Sequence, residues 1–135
     1  MDTPYAAGDV AWILTACALV LLMTLPGLAL FYGGMVRRTN VLSTLMQALG
    51  AAAVVTLVWS IAGYSFAFGG GGSEVFGGFD RLFLSGLEVG SVKAGLPESV
   101  FILFQLTFAI ITVAIIAGAG AERMSFKAWA IFAPL

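Results

Sequence analysis

SVFILFQLTFAIITVAIIAGAGA, residues 99–121, carries no charged side chain from end to end. A helix of about 20 mainly apolar residues crosses the hydrocarbon core of a bilayer, and this run is long enough. Pro97 precedes it, Glu98 begins it and Glu122-Arg123 ends it. Proline at a helix start and an acid in the first turn are ordinary start signals. The reading is a membrane-spanning helix over about Glu98 to Ala121.

Two further uncharged stretches precede it, Val10 to Val36 and Thr39 to Ser73. The first predicts a helix over about Val10–Tyr32, with Asp9 as candidate cap. Gly33-Gly34 is expected to end it, and Pro26-Gly27 inside it to kink it. The second predicts a helix over about Val41–Phe66. Its Ser43, Thr44, Gln47, Thr56, Ser60 and Tyr64 point to packing against other helices. Gly69 to Gly72 reads as a flexible run closing it. Residues 69–98 hold Glu74, Asp80, Arg81, Glu88, Lys93 and Glu98, and read as an irregular loop with a short surface helix. Ser125 onward opens a fourth helix bearing Trp129 and Phe132. The sequence stops at Pro134-Leu135 within that apolar segment, so a piece of a longer protein is expected. The fold class is an all-α membrane protein, residues 1–135 forming one unit of three transmembrane helices plus the start of a fourth at about residue 125.

Composition agrees. Of 135 residues 61% are hydrophobic and 10% charged, against about 25% charged in soluble domains. Mean hydropathy is +1.06. Net charge is -1 and no basic patch exists, so nucleic acid is not an expected partner. The acidic start Met1-Asp2-Thr3-Pro4 does not fit a signal peptide's basic n-region. The lone Cys17 makes no internal disulfide, and reads as a small core or lipid-facing residue. With no histidine, a Ser-His-Asp triad, histidine metal sites and histidine proton relays are excluded. Nucleotide-binding glycine motifs are missing too. No enzyme activity, metal or cofactor is expected.

Basic residues set orientation, because they stay on the cytoplasmic side. Arg37 and Arg38 lie between the first two helices, and Arg123 and Lys127 after the third. The N-terminus and the long loop are therefore expected outside.

On the third helix Phe104, Phe108, Ile111 and Ile115 are spaced four, three and four apart, which stacks them on one face. Gly118 continues that face and would leave room beside it. An apolar passage wall with rings at its outer end fits, since aromatic faces attract cations. Ordinary helix packing or lipid contact fits the same stripe. Leu28 and Phe31 share a face on the first helix, and Tyr32 reads equally as an interface anchor. Small residues at 48–53 and 114–121 allow close helix approach, within one subunit or between subunits. Glu122-Arg123 reads as a solvated helix end.

The segment PGLALFYGGMVRR at 26–38, followed by Asn40-Val41-Leu42-Ser43, resembles the end of the first helix in ammonium transporters of the Amt/MEP/Rh superfamily, Amt branch. FQLTFAIIT at 104–112 and GAGAER at 118–123 resemble its third helix. The resemblance implies part of an eleven-helix fold built from two pseudo-twofold halves and assembled as a homotrimer, each subunit with its own pore. It implies that Phe108 is the outer gate, Phe104 the aromatic above it at the recruitment site, and Leu28, Phe31 and Ile115 pore-lining. It implies ammonium or ammonia as substrate, the plasma membrane as location and a PII-type signalling protein as partner. The family's paired pore histidines, recruiting aspartate and vestibule tryptophan have no counterpart here, so this chain is not expected to transport alone. The alternatives are an ammonium-sensing module fused to a signalling domain, and a membrane scaffold without substrate.

Overall fold

Apolar length decides the three main elements of the computed structural model, which describes residues 5–73 and 76–134. Met1 to Pro4, Glu74, Val75 and Leu135 lie outside the described residues. Helix α1 spans Ala7–Met35, α2 Arg38–Phe68 and α3 Glu98–Gly120, each long and apolar enough to cross a bilayer. A short α4 follows at Phe126–Phe132, where the Ser125 hydroxyl accepts from the Ala128 N–H at 3.3 Å, a normal N-cap bond. The all-helical membrane architecture read from the sequence is the one observed.

Several local expectations change. The N-cap of α1 is Ala6, and Asp9 lies inside the first turn without capping; there it still faces the positive end of the helix dipole. Gly33-Gly34 does not end α1, which runs on to Met35. Gly33 is buried against α2, where a Cβ would meet Val41 at 3.6 Å. At Pro26 the helix does not break but widens into a π-helical turn, Met23–Leu28. Proline's missing N–H and its ring's clash with the carbonyl four back are absorbed by the wider turn. Thr24 donates to the Val20 carbonyl at 2.8 Å just ahead of it. A second π-turn, Trp59–Gly63, interrupts α2 without any proline.

The run Gly69 to Gly72 is not a flexible tether. The Gly69 N–H donates to the Ser65 carbonyl at 2.8 Å and the Gly70 N–H to the Asp80 carboxylate at 3.1 Å. A Cβ on Gly69 would sit 2.7 Å from that carboxylate, so glycine serves close approach here. Among its described residues, the rest of the connection holds a 3₁₀ turn, Leu82–Leu84, and a two-residue antiparallel ladder of β1 (Val92–Lys93) with β2 (Leu96–Pro97).

Small side chains let the helices touch. Ala51, Ala114, Ala117, Trp129 and Ala133 form a buried cluster joining α2, α3 and the α4 segment. Gly50 admits Phe126 and Trp129, whose rings would lie 3.3 Å from a Cβ there. The alanine-rich runs thus pack within one chain, as close approach of small residues allows. Cys17 is a buried free thiol.

Candidate functional site

The rings of Phe104 and Phe108 come together on α3, edge to face at 5.0 Å and 85°, the geometry aromatic quadrupoles favour. The spacing of four that stacks them also places two threonines. Thr107 donates to the Phe104 carbonyl at 2.7 Å and Thr112 to the Phe108 carbonyl at 2.8 Å. Both hydroxyl protons thereby go to the helix's own backbone. Phe104 is half-buried and Phe108 is 44% exposed, so the pair is left partly uncovered on this chain.

The other predicted residues are not gathered with it. Leu28 packs against the alanine cluster. Phe31 is 60% exposed and Ile115 is 52% exposed. Phe31 pairs instead with Tyr32, ring centroids 5.5 Å apart. Tyr32 bridges to α3, its hydroxyl donating to the Ile115 carbonyl at 3.2 Å. The room expected beside Gly118 is filled by that same ring, since a Cβ at 118 would lie 2.5 Å from Tyr32 Cζ. Tyr32 is therefore a joint between α1 and α3, beyond the interface role its position implied.

Two polar clusters flank this face, one at each end of α3. At the Glu98 end, the buried Glu98 carboxylate accepts from the Tyr64 hydroxyl at 2.8 Å and lies 3.4 Å from the Arg81 guanidinium. Lys93 donates to Tyr64 Oη at 3.3 Å and to the Phe68 carbonyl at 3.1 Å. Sequence reasoning missed this cluster. Tyr64 and Phe68, four apart, share a face of α2, but nothing local to them points to Glu98, Arg81 or Lys93.

At the other end Glu122 is more than a solvated cap. Its carboxylate accepts from the Arg37 N–H at 2.7 Å and from Asn40 Nδ2 at 3.2 Å, tying the end of α3 to the α1–α2 turn. These two donors hold its carboxyl below the usual carboxylate range. A cleft of about 280 Å³ opens beside it, lined by Asn40, Thr44, Gln47 and Ser125 among others. Gln47 is buried, and its Oε1 is unpaired among the described residues.

Known proteins share this chain's sequence and shape. A family model described as Ammonium Transporter Family matches residues 11–135. An ammonium transporter of Mycobacterium tuberculosis (strain ATCC 25618 / H37Rv) is 48% identical over 95% of this chain and 30% of its own length. One from Bacillus subtilis (strain 168) is 47% identical, over 95% and 32%. The crystal structure of Candida albicans Mep2 superposes with a TM-score of 0.86 at 33% identity, covering 99% of this chain and 30% of that one. The chain thus spans about a third of the length of the curated relatives it matches.

Proposed function

Because the chain belongs to the ammonium transporter family, we propose that it supplies one wall of a passage for ammonium or ammonia across the plasma membrane. Phe104 and Phe108 form the outer recruitment and gate layer. Leu28, Phe31 and Ile115 line the apolar route below. The observation that carries this reading is the edge-to-face pair of Phe104 and Phe108 with Phe108 left 44% exposed. A ring edge-stacked on its neighbour is held in place yet uncovered, as a gate requires. The exposure of Phe31 and Ile115 supports a face that awaits a solute or further helices.

The chemistry favours neutral ammonia below that layer. A cation over ring faces is attracted while partly hydrated. Moving a bare ammonium ion into hydrocarbon costs far more than moving its neutral form. An apolar conduit therefore rejects potassium, which cannot shed a proton.

The basic residues Arg37, Arg38, Arg123 and Lys127 support an orientation with the Glu122 end inside and the N-terminus outside. The working assembly is a homotrimer of full-length chains, with a PII-type protein as its cytoplasmic partner. The relatives are named as transporters, which favours movement of the ion over sensing alone.

The test is methylammonium uptake by a full-length transporter carrying this chain as its N-terminal third. Phe108→Ala is expected to change uptake at least tenfold at unchanged protein level in the membrane. Uptake identical to the parent would overturn the gate assignment.

A further inference from the structure

The Lys93 ammonium sits over three aromatic rings at once, 5.1 Å from the Tyr64 centroid, 4.9 Å from Phe68 and 5.6 Å from Phe101. All three distances fall within the range of cation–π attraction, about 6 Å. Two of its protons are bonded, to Tyr64 Oη and the Phe68 carbonyl. Tyr64 can accept because its own proton goes to Glu98. Phe68 is the last residue of α2, so its carbonyl lies at the negative end of a helix dipole. Ring faces, a helix-end carbonyl, a phenolic oxygen and a carboxylate behind it all favour a compact cation with N–H donors.

The box does not need Lys93 to hold its shape. Trp59 stands edge-on to Tyr64 at 6.0 Å and to Phe68 at 6.2 Å. Phe68 stands edge-on to Phe101 at 5.1 Å and 77°. Tyr64 is fully buried. Lys93 arrives from outside this ring stack, carried on the β1–β2 hairpin.

We infer that the box of Tyr64, Phe68 and Phe101 is a primary-ammonium site in its own right, which the protein fills with its own Lys93. The site is distinct from the Phe104–Phe108 pair and does not depend on the pore reading. Its ligand class is a small primary ammonium ion, and a quaternary ion lacks the N–H donors the two oxygens require.

Trp59 provides the readout, because it touches two walls of the box. The full chain in lipid nanodiscs is titrated with methylammonium chloride against sodium chloride at equal ionic strength. Lys93→Ala is expected to show a saturable change in tryptophan emission that the parent lacks over the same range. That change should vanish in Lys93→Ala/Trp59→Phe, and weaken at least tenfold in Lys93→Ala/Phe68→Ala. A second measurement uses the unmodified chain. Acylation of Lys93 by acetic anhydride should run at least tenfold slower than that of Lys127, which is exposed. Equal acylation rates, a parent response equal to that of Lys93→Ala, or no saturable response in Lys93→Ala would each overturn the proposal.

Discussion

The ring of Tyr32 on α1 occupies the place where Gly118 on α3 has no side chain: a Cβ at 118 would come within 2.5 Å of Tyr32 Cζ and 2.6 Å of Cε1. The same tyrosine donates to the Ile115 carbonyl at 3.2 Å. The contact is against a rigid ring, so a methyl group cannot be absorbed by a small rotation. Gly118→Ala is expected to destabilise the chain by about 1–3 kcal/mol through overpacking. Tyr32→Phe should lose only the hydrogen bond, about 0.5–1.5 kcal/mol. Denaturation in lipid or detergent checks both. A Gly118→Ala chain as stable as the parent would show that the ring moves freely.

A pH effect follows from Glu122. Its carboxyl titrates below the ordinary carboxylate value because it accepts from the Arg37 N–H and Asn40. A depressed folded pKa means the contribution is complete above the unfolded value and is lost as pH falls through the folded one. The junction between α3 and the α1–α2 turn should therefore loosen only in acid, below the usual carboxylate range. Amide exchange at Arg37, followed against pH, reads this directly. Glu122→Gln should flatten that dependence, while a profile unchanged by the substitution would assign the acid effect elsewhere.

Helix existence was legible because hydrocarbon thickness leaves few ways to read SVFILFQLTFAIITVAIIAGAGA. Helix ends were less so. Glycine was read as a stop at Gly33-Gly34, yet α1 continues through them to Met35, since a small residue there lets α2 approach. The contact of Phe104 with Phe108 follows from a spacing of four alone. The ring of Tyr32 beside Gly118 does not, for nothing local to either residue says that they meet across 86 positions. The Glu98 cluster was hidden for the same reason. Its members come from α2, the loop, the hairpin and α3, and only the tertiary fold brings them together.

The hairpin that carries Lys93 turns through Ala94 at φ 53° and Gly95 at φ 76°. Two left-handed residues between two strands are what a type I′ turn demands. Glycine takes that conformation freely, whereas a residue with a Cβ costs about 1–2 kcal/mol. Ala94→Gly is expected to relieve about 1 kcal/mol of this, net of the extra chain freedom in the unfolded state. Slower amide exchange in Val92 and Lys93 would report it. Faster exchange would mean that the turn is held by its neighbours and not by its own backbone preference.

Glu98 provides the most stringent test of the polar network, because one oxygen, Oε1, serves both Tyr64 at 2.8 Å and Arg81 at 3.4 Å. Arg81 keeps 34% of its side chain exposed and can turn to water if its partner loses charge. Tyr64 is 1% exposed and cannot. The two substitutions of Glu98 should therefore differ. Glu98→Gln keeps an acceptor for the tyrosine hydroxyl and removes only charge assistance, so a loss of about 1–2 kcal/mol is expected. Glu98→Ala strands a buried hydroxyl and opens a void, and should cost about 3–4 kcal/mol. Adding Tyr64→Phe to Glu98→Ala should then recover part of that loss, because the stranded donor is gone. A double variant whose losses simply add would show that the tyrosine finds another acceptor once Glu98 is absent, and that the cluster is looser than its distances imply.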